Sequence, residues 1–80
     1  MMEYIATFHT HFSALQTKKN LSGAGAKARL APVPRSLSAS CGTCVKYSAE
    51  SPMLEQMDVD TEMVVLVRSE GEYETLLDNR

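Results

Sequence analysis

The sequence contains little cysteine, no tryptophan and no long apolar run, so several classes of protein can be set aside. Two cysteines in 80 residues are too few for the disulfide scaffold that holds small secreted domains together. No stretch of about 20 consecutive apolar residues is present, which excludes a transmembrane helix. No cationic segment precedes an apolar stretch near Met1, so we expect no signal peptide, no membrane association and a cytoplasmic location.

Motifs for several common chemistries are missing as well. Gly23-Ala24-Gly25 shares only its glycines with a phosphate-binding loop, because no lysine-serine pair follows it. The acidic residues are scattered and suggest no pair for general acid-base catalysis. An isoelectric point near 5.6 and the lack of a basic stripe argue against a nucleic-acid partner.

What is present is the composition of one small folded domain spanning residues 1–80, with 44% hydrophobic and 22% charged residues. Residues 1–48 carry six lysines and arginines against Glu3 alone, a net charge of +5. Residues 49–80 carry nine acidic residues against two arginines, a net charge of −7. Both cysteines lie in the basic half, where cations favour a thiolate, unless the two halves are simply two solvated surfaces of different charge.

The order of local patterns predicts a strand, a helix and a second strand. Residues 4–8 are rich in β-formers, and residues 27–31 alternate charged and apolar side chains. Between them, residues 12–22 have helical periodicity, with Thr10 or Ser13 as the expected cap. The expected apolar stripe consists of Ala14, Leu15 and Leu21, with the aliphatic stem of Lys18 lying along it. A βαβ unit of this length predicts that its two strands run parallel.

The second half of the chain predicts fewer clear elements. A short strand is expected at 45–47, one helical turn at 53–57, and a central, doubly buried strand at the apolar run 63–67. Residues 72–77 are expected to form a closing helix. The predicted fold is therefore α+β, a small mixed sheet of about three or four strands with about two helices packed on it.

Cys41-Gly42-Thr43-Cys44 is the segment most suggestive of chemistry. Cys41 follows Ser36, Ser38 and Ser40, so its thiol is expected to be reachable from solvent. The guanidinium of Arg35 and the backbone N–H of Gly42 are candidates to stabilise its thiolate. The alternative is that Cys41 serves only as a small packing residue.

Cys44 precedes Val45 and the short predicted strand, which favours a buried structural residue. Its functional interpretation is a resolving thiol for Cys41, which requires Cα atoms within about 7 Å of each other. A further alternative combines both cysteines with His9 and His11 as a zinc ligand set, although the spacing matches no standard zinc finger.

The strand ending at Phe8, the helix after it, and Pro34-Arg35 followed by a serine-rich spacer and Cys41-Gly42 together resemble a known family. This is the small family described as putative selenium/sulfur carrier protein-like. The resemblance covers residues 3–48 and leaves the acidic segment 52–80 outside it. The better-known sulfur-relay carriers open their first helix with a Cys-Pro-x-Pro motif that this chain lacks, so the resemblance to them is one of fold alone. It implies a ferredoxin-like or sulfur-carrier-like layout that starts with the βαβ unit.

The resemblance implies that Cys41 carries sulfur or selenium, as a persulfide or perselenide, between a donor and an acceptor protein. Arg35 and Gly42 would stabilise the anion and Cys44 would resolve it, with no cofactor required. Such a protein is a carrier rather than a self-contained enzyme. The alternative function is a thiol-disulfide redox or zinc-binding module that uses Cys41 and Cys44 together, with His9 and His11 as further zinc ligands. A third is a structural adaptor with two inert cysteines.

Overall fold

A five-stranded antiparallel sheet and one α-helix form the regular structure in the computed structural model, which describes residues 1–37, 39 and 41–80. In chain order the elements are β1 (Met2–Phe8), α1 (His11–Gly23), β2 (Lys27–Pro32), β3 (Thr43–Ala49), a 3₁₀ turn (Leu54–Gln56), β4 (Thr61–Ser69) and β5 (Glu72–Asp78). The strand order across the sheet is β2-β3-β1-β4-β5.

The first two strands run parallel to each other, as the sequence predicts, but they are not neighbours. β3 pairs antiparallel with β2 on one side and with β1 on the other, so it lies between them. The unit is a split βαβ in which a hairpin strand has been inserted between the parallel pair. In the described structure every pair of hydrogen-bonded neighbouring strands is antiparallel, so the prediction of a mixed sheet is wrong.

The α+β class is confirmed, whereas the predicted numbers of strands and helices are not. The closing helix expected at 72–77 is the edge strand β5, and the turn at 53–57 is shortened to the 3₁₀ turn. Glu70 and Gly71 form a tight reversal, with Gly71 at a φ of 79°, that directs the chain back along the free edge of β4. The pairing of β5 with β4 outweighs the helix preference of its glutamates and leucines.

Helix α1 packs on the sheet through a narrower apolar stripe than expected. Ala14 and Leu21 are buried, but Leu15 is 38% exposed. Its place on the buried face is taken by Ser13 and Thr17. The start of the helix is fixed by Thr10, whose hydroxyl accepts a hydrogen bond from the Ser13 N–H at 3.1 Å.

The apolar residues divide between the two faces of the sheet according to the alternation along each strand. Tyr4, Ala6 and Phe8 of β1 face α1 and form the larger cluster. On the side of the sheet opposite α1, here called the open face, the smaller buried cluster consists of Ile5, Cys44, Met63 and Val65. Strand β4 is buried from Thr61 to Leu66, which confirms the predicted double burial of the apolar run.

The open face is partly covered by the connection between β2 and β3. Val33 and Leu37 of this connection pack against the cluster that contains Cys44. Ser38 and Ser40, two of the three serines on which the expected accessibility of Cys41 was based, lie outside the described residues. No helix in the described residues is long and apolar enough to cross a membrane.

Candidate functional site

The β2–β3 connection, residues 33–42, carries Arg35, Cys41 and Gly42. Its base is closed by a backbone hydrogen bond of 3.1 Å from the Val33 N–H to the Gly42 carbonyl. A second bond, from the Leu37 N–H to the Pro34 carbonyl at 3.0 Å, forms a turn after β2. The connection is thus tied at its base and packed onto the open face through Val33 and Leu37.

Cys41 lies in a bend immediately before β3 and is half-buried with a free thiol. Its carbonyl accepts a hydrogen bond from the Thr43 N–H, which makes the bend tight. Gly42 is exposed, and a Cβ atom at this position would have no other heavy atom within 4 Å. Within the described residues the Gly42 N–H donates no hydrogen bond. The segment therefore presents a thiol and a backbone donor on adjacent residues.

Cys44 differs sharply from Cys41 although it is only three residues away. It is 0% exposed and belongs to the cluster on the open face. Its Sγ donates a weak hydrogen bond to the Pro32 carbonyl at 3.6 Å. Burial raises the pKa of the Cys44 thiol, and the nearby charges of Lys46 and Arg29 only partly oppose this effect. Burial and a raised pKa both lower the reactivity of a thiol, so Cys44 is expected to be the less reactive of the two cysteines in the folded state.

Arg35 lies exposed in the turn that follows Pro34. Within the described residues its guanidinium makes no hydrogen bond or ion pair. An exposed arginine without a carboxylate partner retains its full hydrogen-bonding capacity for an incoming anion.

His9 and His11 have separate partners. His9 Nδ1 lies 3.6 Å from a carboxylate oxygen of Glu62. His11 Nδ1 lies 3.4 Å from the Thr43 hydroxyl, so the first turn of α1 is next to the strand that Cys41 precedes. Among the described residues, no group of three or more histidine, cysteine, aspartate or glutamate side chains is close enough together to hold a metal ion.

Asp58 is a structural residue whose contacts with α1 the sequence patterns did not reveal. Its carboxylate accepts a hydrogen bond of 2.7 Å from the Ser13 hydroxyl, and its N–H donates to the Thr17 hydroxyl at 3.1 Å. These bonds hold the buried polar side of α1 against the segment that leads into β4. The only sequence signal was two small hydroxyl residues at helical spacing, since Asp58 is more than 40 positions away from both.

Comparison with known proteins supports the resemblance seen in the sequence. Residues 3–59 match the family described as "Putative Se/S carrier protein-like". The matched region extends past residue 48, the limit expected from the sequence, and includes the 3₁₀ turn. Strands β4 and β5 lie beyond the match.

One similar protein is "Uncharacterized protein YtiA" of Escherichia coli (strain K12), which is 38% identical over 45 residues. The aligned region covers 56% of this chain and 53% of the relative, so it spans about half the length of that protein. No solved structure matched the chain. Because the family match covers most of the chain and includes the whole β2–β3 connection, the chain belongs to the family described as "Putative Se/S carrier protein-like".

Proposed function

We propose that this protein carries sulfur or selenium as a persulfide or perselenide on Cys41. The family description implies a carrier and hence protein partners. The observation that carries the assignment to Cys41 is the difference between the two thiols. Cys41 is partly exposed at a bend, whereas Cys44 is fully buried and its pKa is raised by burial. Of the two thiols, only Cys41 can reach a partner without local unfolding.

The proposed loading step is a thiol exchange in which the Cys41 thiolate attacks the outer sulfur of a persulfide on a donor protein. The new Cys41 S–S bond forms as the S–S bond of the donor breaks, and the donor thiol leaves as a thiolate. The unloading step is the same exchange with an acceptor nucleophile, and Cys41 is the leaving thiolate. No net oxidant or reductant is needed, because the outer sulfur is passed on in the same oxidation state.

Arg35 and Gly42 are proposed to stabilise the anionic forms of Cys41. A guanidinium with no partner among the described residues and a backbone N–H without an acceptor among them can both donate to a thiolate or persulfide anion. Cys44 acts as a resolving thiol in this scheme only if the β2–β3 connection opens, because Val33 and Leu37 cover the cluster in which it is buried. The carrier step itself requires Cys41 alone.

The experiment is intact-mass analysis after incubation with a cysteine desulfurase and cysteine. The wild-type chain is expected to gain the mass of one sulfur atom, Cys41→Ser to gain none, and Cys44→Ala to load like wild type. Arg35→Gln should load more slowly than Lys19→Gln, which makes the same change of charge on an exposed position of α1. A wild-type chain without added sulfur, or equal loading of Cys41→Ser, would contradict the proposal.

A further inference from the structure

The open face of the sheet contains a groove that is separate from the β2–β3 connection. It has a volume of about 340 Å³ and is formed by the first half of β2, the second half of β3 and the neighbouring parts of β1, β4 and β5. Cys41 lies beyond the other ends of β2 and β3. A volume of this size is in the range of sites that bind small molecules.

One wall of the groove is cationic because of the register of β2 and β3. Arg29 and Lys46 are directly opposite each other in the antiparallel pair, and Lys27 lies two positions along β2 on the same face. Like charges placed directly opposite each other destabilise a sheet. The sheet thus maintains an unfavourable arrangement of charge at this position, and such arrangements are concentrated at functional sites.

No carboxylate contacts these three cations in the part of the chain that the structure describes. The ion pairs found there involve His9, Arg68 and Arg80. Two acids, Glu3 and Glu70, also line the groove. Neither forms an ion pair with a lysine or arginine of the cationic wall. The side chains of the wall are therefore available to a bound anion.

Apart from Glu3 and Glu70, the side chains on the floor and far wall of the groove include the apolar and aromatic residues Ile5, Val67 and Tyr73. Ile5 is 4% exposed, and Val67 and Tyr73 are half-buried in the same cluster on the open face. A ligand that filled the groove would contact this surface with its uncharged part and the cationic wall with its charged part. A site with a few placed charges beside apolar and aromatic side chains is typical of small-molecule recognition.

We propose that this groove binds a small phosphorylated organic molecule, with the phosphate on Arg29, Lys46 and Lys27 and the apolar part on Ile5, Val67 and Tyr73. Phosphate fits because three cations on one wall of the groove can balance a dianion, and the arginine fork can donate two parallel hydrogen bonds to it. A long nucleic acid fits poorly, because Glu3 and Glu70 share the groove and the chain carries a net charge of −2.

The test is a ¹H–¹⁵N NMR titration of the whole chain with phenyl phosphate, phenol and inorganic phosphate at constant ionic strength. Phenyl phosphate is expected to give saturable shifts at residues 3–5, 27–29, 46–48 and 67–73, and to bind more tightly than either fragment. A double variant, Arg29→Gln with Lys46→Gln, should weaken its binding at least tenfold, about 1.4 kcal/mol. This variant removes the repulsion between the strands, so its folding should be intact.

The matched control is Lys18→Gln with Lys19→Gln, which makes the same change of net charge on α1, across the sheet from the groove. It should bind phenyl phosphate like wild type. Shifts that do not saturate, equal weakening in the control, or inorganic phosphate binding as tightly as phenyl phosphate would each overturn the proposal. None of these results depends on whether Cys41 accepts sulfur, so the groove and the carrier function can fail independently.

Discussion

At the scale of single residues, the fully buried threonines Thr7 and Thr17 differ in the hydrogen bonding of their hydroxyls. The Thr7 hydroxyl has no hydrogen-bond partner within the described structure, whereas the Thr17 hydroxyl accepts from the Asp58 N–H. A buried polar group without a partner costs about 1–3 kcal/mol. The two hydroxyls are therefore expected to have opposite effects on the free energy of unfolding.

We expect Thr7→Val to raise the free energy of unfolding by about 1 kcal/mol, because valine keeps the shape and removes the unpaired hydroxyl. In a domain of this size that corresponds to a Tm increase of about 4–8 °C. Thr17→Val should instead lower stability by about 1–3 kcal/mol, because it leaves the Asp58 N–H without its acceptor. Thermal unfolding of both variants measures the difference, and a destabilised Thr7→Val would show that the hydroxyl is in fact satisfied.

The contrast between Cys41 and Cys44 belongs to the same scale and was largely predictable. Polar neighbours indicated a reachable Cys41, and the β-branched Val45 indicated a strand-buried Cys44. In the structure Cys41 is partly exposed and Cys44 is buried in β3. The environment of Cys44 was not predictable, because the residues that cover it, Val33 and Leu37, meet it only through the fold of the β2–β3 connection. Roles for Arg35 and Gly42 at the thiol remain predictions.

At the scale of elements, Gly71 and Gly42 occupy turns with different backbone requirements. Gly71 has a φ of 79°, in the left-handed region that costs other residues about 1–2 kcal/mol, whereas Gly42 is outside that region and faces open space. Gly71→Ala should therefore destabilise the β4–β5 hairpin by about 1 kcal/mol. Gly42→Ala should stabilise the chain by about 0.4–1 kcal/mol, through the entropy of the unfolded state.

Urea unfolding of the two glycine variants gives both values. A Gly42→Ala chain as unstable as Gly71→Ala would mean that the bend at Cys41 needs glycine for its conformation. Sulfur loading of Gly42→Ala can then be compared with wild type in a chain of known stability, which separates access to Cys41 from folding.

Strands and helices were predicted best where periodicity was local. The strand at 4–8, the helix at 12–22 and the strand at 27–31 all form, each extended by one or two residues at its ends. The element at 72–77 was wrong because its alternatives differ little in local preference, and its pairing with β4 decides between them. Leu15 was placed wrongly because hydrogen bonds to Asp58, from a distant segment, select the buried side of α1.

At the scale of the whole molecule, buried acidic groups of high pKa predict a loss of stability at alkaline pH. Tyr47 is 2% exposed, and its hydroxyl donates to the Pro52 carbonyl at 2.6 Å. Burial raises the Tyr47 pKa above its usual range, and the neighbouring Tyr4 and Glu55 raise it further. Above pH about 10 the unfolded chain releases this proton and the folded chain retains it, so stability falls as pH rises.

Tyr47→Phe should change both the level and the slope of this pH profile. At neutral pH it loses the bond to Pro52, a cost of about 1 kcal/mol. Above pH about 10, the free energy of unfolding of the variant should fall less steeply with pH than that of wild type. The two slopes should differ by up to about 1.4 kcal/mol per pH unit. Denaturant unfolding from pH 7 upward measures both quantities, and equal slopes for the two chains would contradict a buried, protonated Tyr47.

The arrangement of the whole sheet was only partly predictable. The parallel direction of β1 and β2 followed from the length of the helical connection, but the insertion of β3 between them is a long-range pairing. The cationic wall of the groove depends on that pairing, because it sets Arg29 of β2 opposite Lys46 of β3. The alternation of charged and apolar residues in β2 was visible in the sequence, whereas its pairing with β3 was not.

The central claim, that Cys41 holds the cargo, is tested most directly by locating the added sulfur within the loaded wild-type chain. After incubation with a cysteine desulfurase and cysteine, the new persulfide is trapped by alkylation and its position is read by peptide mass spectrometry. We predict that the extra sulfur lies on Cys41 and that Cys44 remains a free thiol. Extra sulfur on Cys44, or a bond between Cys41 and Cys44 as the main product, would contradict the claim and favour a dithiol redox function.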